Sequence, residues 1–227
     1  MTRRGFRVGP RGRLAFAVSL SFVVAAACTD AGAPDGPALA VVQAGQAFEA
    51  KDLEGFESNV AIDRALASTM DSVLALITER GYEDAATAQD SMNVQMAVGF
   101  GQVMKTMVVQ LGGQTVRESV REGKLKVPDA TRSQLEQMAP DSTRINPDRL
   151  DEVDLESTAP HTVMSGGDAA RVRFDLTGTN LETDERETWP IELLLQKSPE
   201  GAWQVVGLGN VRELADLIEE RNSGRMN

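Results

Sequence analysis

The chain has 227 residues, which fits one medium-sized domain with an additional segment. Its 34 acidic residues outnumber 23 basic ones and give a net charge of −11, so nucleic acid is a poor partner because both surfaces are negative. The single cysteine excludes an intramolecular disulfide, and the fold is not expected to rely on oxidative cross-links.

The first 27 residues have the order of features found in secretory signal peptides. Five arginines and no acidic residue lie within residues 1–13, and an apolar run of about 14 residues follows, from Leu14 to Ala27. This run is shorter than the roughly 20 residues that a membrane-spanning helix needs. We therefore predict that residues 1–27 are an export signal. Without them the chain carries 18 basic against 34 acidic residues, a net charge of −16.

Cys28 directly follows three alanines at the end of this segment. The stretch Val24–Cys28 resembles a bacterial lipobox, and the resemblance implies that the cysteine carries a diacylglyceryl thioether and that its freed amine is acylated. Several acyl chains, at about 0.8 kcal/mol per buried methylene, would give lasting membrane attachment. The alternative is that a signal peptidase cleaves after the Ala-x-Ala motif and leaves Cys28 as an ordinary thiol.

Two further features concern export and domain boundaries. Residues 2–6 (Thr-Arg-Arg-Gly-Phe) resemble a twin-arginine export motif, which implies that the domain folds before it crosses the membrane; general secretion is the alternative. Residues 28–37 are rich in Gly, Pro and Asp and are predicted to form a solvated tether. We expect a single domain over residues 38–222 and a short tail over residues 223–227.

Helical periodicity dominates the first part of the domain. A helix is predicted over about 38–51, and Asp52 is expected to cap a short helix that follows. The next helix begins at Ile62 and repeats apolar residues at i, i+3, i+4 and i+7 spacing, with Gly81 in the position of a C-cap glycine. Much further along, Thr131 begins a capping box that predicts a small helix.

The longest helix is predicted over about Ser91–Leu111. Met92, Met96 and Phe100 belong to a broad apolar face, so we expect this helix to be the central buried one. The Gly-Gly pair at 112–113 is expected to break it, before a shorter helix. Core packing is the favoured role of this face. The alternative is a groove for an apolar ligand or a partner, lined by Met92, Met96 and Phe100.

Alternation of apolar and polar residues predicts three strands, over about Ala170–Leu176, Trp189–Leu195 and from Trp203 onward. A weaker strand is predicted over Glu152–Ser157, and Asn210 is expected to cap a last helix. Helices followed by sequential strands with short turns are typical of the α+β class. We therefore predict an N-terminal helical layer packed on a C-terminal antiparallel sheet of about three to four strands, with a closing helix.

Three segments have a family pattern: residues 42–60, residues 167–172, and residues 200–206 with a Gly-x-Trp-x-Val step. They resemble the opening helices and the later hairpins of the nuclear-transport-factor-two-like and SnoaL-like group. Over most of residues 38–221 the chain also resembles a family of uncharacterised exported bacterial lipoproteins of unknown function. The resemblance implies a cystatin-like or cone-like fold and does not specify an activity.

His161 is the only histidine, so any serine–histidine triad would have to use it, and no site with several histidine ligands can form. We expect it to have a surface or structural role. The alternative is catalysis with a carboxylate in a cone-shaped pocket, as some members of the group use. The acidic clusters around residues 148–156 and 182–187 are expected to be solvated rather than to bind calcium. No metal site and no cofactor is predicted.

Together these features predict a lipoprotein anchored on the periplasmic or outer-surface side of a bacterial membrane. The favoured function is a non-enzymatic binding or envelope-accessory module. Its expected partners are the membrane, through the lipid on Cys28, and an envelope protein or an apolar ligand. One alternative is a small SnoaL-like enzyme that uses His161. The other is a carrier of lipids or apolar ligands, lined by the Met-rich helix.

Overall fold

A computed structural model describes residues 35–83, 85–124, 155–179 and 185–224. The described residues contain a run of helices, then five antiparallel strands and a closing helix, which confirms the predicted α+β class. In chain order the elements are α1 (Gly36–Glu49), α2 (Leu53–Asn59), α3 (Ile62–Glu83), α4 (Ala88–Glu122), β1 (Leu155–Ser157), β2 (His161–Gly166), β3 (Ala169–Thr179), β4 (Arg186–Lys197), β5 (Trp203–Leu208) and α5 (Val211–Gly224).

The sheet has more strands than the expected three to four because two short strands share one edge. Strand β4 pairs with β3 along one side and with β5 along the other. On the opposite side of β3, β1 pairs with residues 176–178 and β2 pairs with residues 169–173. Between the two short strands, Thr158 takes its place beside Asp175, whose backbone N–H donates to the Thr158 hydroxyl at 2.8 Å.

The core lies between one face of the sheet and the helices α1, α3 and α5. Period-two alternation places every second side chain of β3 on the same face, and those side chains are paired across the strands with their counterparts on β4. Thus Val172 lies opposite Leu193 and Phe174 lies opposite Ile191, and all four are buried. The helices contribute further buried side chains to this cluster, including Val41, Leu66 and Leu214.

Two aspartates start the first two helices. Asp35 accepts a hydrogen bond from the backbone N–H of Ala38 and caps α1, and Asp52 accepts one from Gly55 at 3.0 Å and caps α2. The prediction for Asp52 is therefore confirmed. Lys51, between the two helices, has a positive φ of 58°, which makes the corner tight.

The helices α3 and α4 form an antiparallel hairpin, and here the sequence-based boundaries were wrong. Helix α3 continues through Gly81 to Glu83, and α4 continues through the Gly-Gly pair at 112–113 to Glu122. A Cβ added at Gly81 would lie 2.9 Å from the side chain of Val94. One added at Gly112 would lie 3.3 Å from Leu66. These glycines bring the two helices together, and the packing offsets their low helix propensity of about 1 kcal/mol each.

The prediction that this longest helix is the central buried one was also wrong. Helix α4 packs on α3, with smaller contacts to α1 and α2, while α3 packs on β5. Its buried residues all lie in its C-terminal half: Gly113, Val116, Ser119 and Val120. The N-terminal half of α4 therefore has one side against α3 and its other side in solvent.

The substitution Thr69→Val tests a buried link between the helices and the sheet. The Thr69 hydroxyl accepts a hydrogen bond from the backbone N–H of Leu208 at 3.2 Å, and both groups are buried. We expect the free energy of unfolding to fall by about 1–3 kcal/mol, because the N–H stays buried without an acceptor.

Chemical denaturation of the purified protein measures this loss. Thr78→Val is a matched control on the same helix, because the Thr78 hydroxyl donates only to the carbonyl of Leu74 one turn earlier. The control should change the unfolding free energy by less than about 0.5 kcal/mol. Equal losses in the two variants would contradict the assigned role of Thr69.

Candidate functional site

The largest exposed apolar side chains of the described residues include a row on the N-terminal half of α4. The four side chains of this row, at positions 92, 96, 100 and 103, are 49%, 59%, 59% and 76% exposed. Residues three and four positions apart lie on the same side of a helix, so the four share one face. We call this row the outer stripe: Met92, Met96, Phe100 and Val103.

The opposite side of the same helix is covered by α3. Val94 contacts Gly81, and a Cβ at Gly101 would lie 2.3 Å from the side chain of Leu74. Helix α4 is therefore apolar on two faces, of which α3 covers only one.

The surface around the outer stripe carries no formal charge over residues 91–104. The nearest charged residues on α4 are held by partners in the chain. Asp90 forms the capping box with Thr87 at the start of the helix, and Lys105 donates to Asp71 at 2.6 Å. The outer stripe is thus a neutral apolar surface on a protein with a net charge of −11.

A row of this kind is a stronger signal than isolated exposed side chains. Single exposed apolar residues are common on soluble proteins and need no explanation. Contiguous apolar patches of several hundred Å² are uncommon and mark interaction surfaces. The four large side chains of the outer stripe lie on consecutive turns of one helix and are each about half exposed or more, so they form a continuous row rather than isolated exposures.

His161 lies on the surface. It is exposed at the first position of β2, an edge strand, with Arg173 as its cross-strand neighbour. The enzyme alternative requires this imidazole inside a concave pocket and beside a carboxylate. The exposed edge position is not that geometry.

An open cavity of about 510 Å³ lies at the turn between β4 and β5, lined by Arg64, Asp168, Lys197, Ser198, Pro199 and Gly201. Its Lys197 ammonium lies 5.1 Å from the centre of the Trp203 ring and 3.9 Å from Asp168. The charge of Lys197 is therefore engaged within the turn, and the Arg64 guanidinium donates to the side-chain oxygen of Gln196, so both cations of the cavity already have partners in the chain.

Several of the predicted features lie outside the described residues. They are Cys28, the twin-arginine motif, the Thr131 capping box, most of the first acidic cluster and half of the second. Within the ranges that the structure describes, no group of three or more His, Cys, Asp or Glu side chains is placed to hold a metal ion. Over the same ranges, no helix has the length and hydropathy to span a bilayer.

Comparisons of the chain with protein-family models, with curated proteins and with solved structures found no match. The resemblance to the nuclear-transport-factor-two-like group therefore stays a prediction. What the structure defines is an α+β domain with a neutral apolar stripe on its outermost helix.

Two alanine substitutions distinguish the outer stripe from the core. Phe100→Ala removes an exposed ring, so we expect the unfolding free energy of dilute protein to change by less than about 0.5 kcal/mol. Phe174→Ala removes a ring that is only 2% exposed, and should cost about 3–5 kcal/mol. Thermal or chemical denaturation measures both. A cost at Phe100 similar to that at Phe174 would mean that α4 is buried in the domain.

Proposed function

We propose that the protein is a non-enzymatic, lipid-anchored module of the bacterial envelope that binds a helix of a second protein molecule on its outer stripe. The observation that carries the proposal is the stripe itself. It lies on a regular helix that is held in place by α3, so the side chains are presented on a rigid support.

A helical partner fits this surface better than a small molecule does. Small-molecule sites are concave and enclose most of the ligand surface. The outer stripe runs along the convex side of one helix, where a second helix can insert its own apolar row between the side chains. The absence of charge along residues 91–104 suits an apolar partner face.

The predicted membrane anchoring would determine where this binding takes place. The proposed signal segment and the lipid on Cys28 would hold the domain at a membrane surface, where partners are confined to two dimensions. The strong negative charge gives the domain no attraction of its own to anionic lipids, so the lipid would provide the attachment.

Of the alternatives, the apolar-ligand carrier uses the same side chains as the proposal. It would need Met92, Met96 and Phe100 to line an enclosed space, whereas they lie on the outer face of α4. The SnoaL-like enzyme would need a pocket around His161, which is exposed at a sheet edge. Both alternatives therefore have less structural support than protein binding.

The anchor is tested by intact-mass spectrometry of the full chain expressed in a bacterial host and extracted from membranes. We expect a mature N-terminus at Cys28 with the added mass of the diacylglyceryl group and the amide-linked acyl chain. The variant Cys28→Ala should lack this mass and leave the washed membrane fraction or remain uncleaved. An unmodified thiol at position 28 in the wild-type protein would contradict the anchor.

Binding is tested by placing the photo-crosslinker p-benzoylphenylalanine at Val103 of the full chain in membranes. The same group at Ala97, which is also exposed on α4 but lies about 120° around the helix, is the matched control. We expect peptide adducts at Val103 to exceed those at Ala97 by about tenfold or more. Equal labelling, or adducts to lipid alone, would contradict a protein-binding stripe.

A further inference from the structure

Three residues of the outer stripe, Met92, Met96 and Val103, belong to a longer row on α4. Six positions follow one another at alternating steps of four and three residues, and we call them the outer seam: Met92, Met96, Gly99, Val103, Thr106 and Gln110. Alternating steps of three and four residues are the spacing at which two helices pack side by side as a coiled coil. The outer seam extends over about five helical turns, so it offers one continuous contact to a partner helix.

The inner side of α4 already uses the same spacing. Val94 and Gly101, seven residues apart, face α3 and contact it at Gly81 and Leu74. The helix therefore has two rows of the coiled-coil type on roughly opposite sides. One row builds the hairpin with α3, and the outer seam has no counterpart among the described residues.

The outer seam is complementary to itself. Val103 has the largest exposed fraction of the outer stripe, 76%. A Cβ added at Gly99 would meet nothing within 4 Å, so there is open space above this glycine. Two α4 helices can pair antiparallel with the two-fold axis at the level of residue 101 along the helix. In this register, Val103 of each copy lies beside Gly99 of the other. The same register places Met96 beside Thr106, so each contact occurs twice about a two-fold axis.

The charge pattern favours a second copy over a charged partner. Two copies of a chain with a net charge of −11 repel each other over most of their surfaces. All six positions of the outer seam are uncharged, and so are the exposed neighbours Gln95 and Gln102. This face is where two acidic copies can approach without bringing like charges together.

We propose that the helix bound on the outer stripe is α4 of a second copy, packed antiparallel through the outer seam. The pair would form a four-helix layer from the α3–α4 hairpins of both copies. The inference rests on the proposed function and names its partner.

The test uses the full chain in membranes with p-benzoylphenylalanine in place of Met92. In the antiparallel pair, position 92 lies beside Gln110 of the other copy, so we expect a cross-linked band at twice the monomer mass. Tryptic digestion of that band should give an adduct to the peptide 106–117. Positions 92 and 110 of one chain are about 27 Å apart along the helix, so this adduct cannot form within a single copy.

Each other outcome has a defined meaning. A double-mass band whose adduct lies in the peptide 81–105 would overturn the antiparallel register. Adducts to a different protein would overturn the second copy as partner and leave the proposed function standing. Adducts to lipid alone, or no adducts, would overturn both the inference and the proposed function.

A charge substitution combined with the cross-linker at position 92 tests the same contact in a second way. Val103→Glu places two carboxylates near the two-fold axis, so we expect the double-mass band obtained from position 92 to fall by about tenfold or more. Ala97→Glu adds the same charge to an exposed position outside the outer seam and should leave the band nearly unchanged. Circular dichroism of both variants checks that the helices are retained. An equal loss in both variants would overturn the assigned contact.

Discussion

The close contact between α3 and α4 determines the shape of the helical side of this domain. Helix α3 packs on β5 with one face and receives α4 on another, so α4 becomes an outer layer. Glycines at positions 81, 101 and 112 permit this contact, because a Cβ there would approach or overlap a side chain of the facing helix. With α4 fixed in this way, its second apolar face has no part of the described domain to cover it.

The two ends of α4 are held differently, and this explains why only one end carries the stripe. Near the C-terminal end, the Arg117 guanidinium bonds Asp63 on α3 and Glu57 on α2, at 3.0 and 2.7 Å. Both hydrogen bonds raise the pKa of Arg117 above its ordinary value, and the bond to Asp63 has the larger effect. A planar guanidinium between two carboxylates fixes three helices relative to one another. The N-terminal end lacks such a junction among the described residues and rests on α3.

Much of the fold could be predicted from the sequence, because periodicity and capping are local properties. The helix at Ile62, the cap at Asp52 and the alternation in β3 and β4 all appear in the structure. The glycines misled the prediction, since Gly81 and the pair at 112–113 serve contacts between helices, and single-sequence reasoning assigns them to helix ends. Burial also misled it, because an apolar face has the same spacing whether it meets the core or solvent. The one available signal was that α4 is apolar on two sides, which exceeds what one neighbouring helix covers.

The exposed thioethers of the outer stripe give this surface a chemistry that the core does not have. Among the described residues, the buried apolar side chains are aliphatic or phenyl groups, and no methionine is one of them. Met92 and Met96 are each about half exposed, so oxidants in the surrounding medium reach their sulfur atoms. Oxidation to the sulfoxide would make the stripe polar while leaving the packing between helices and sheet unchanged. Methionine sulfoxide reductases return such sulfoxides to thioethers, so a cycle of oxidation and reduction at these two side chains would switch the polarity of this face.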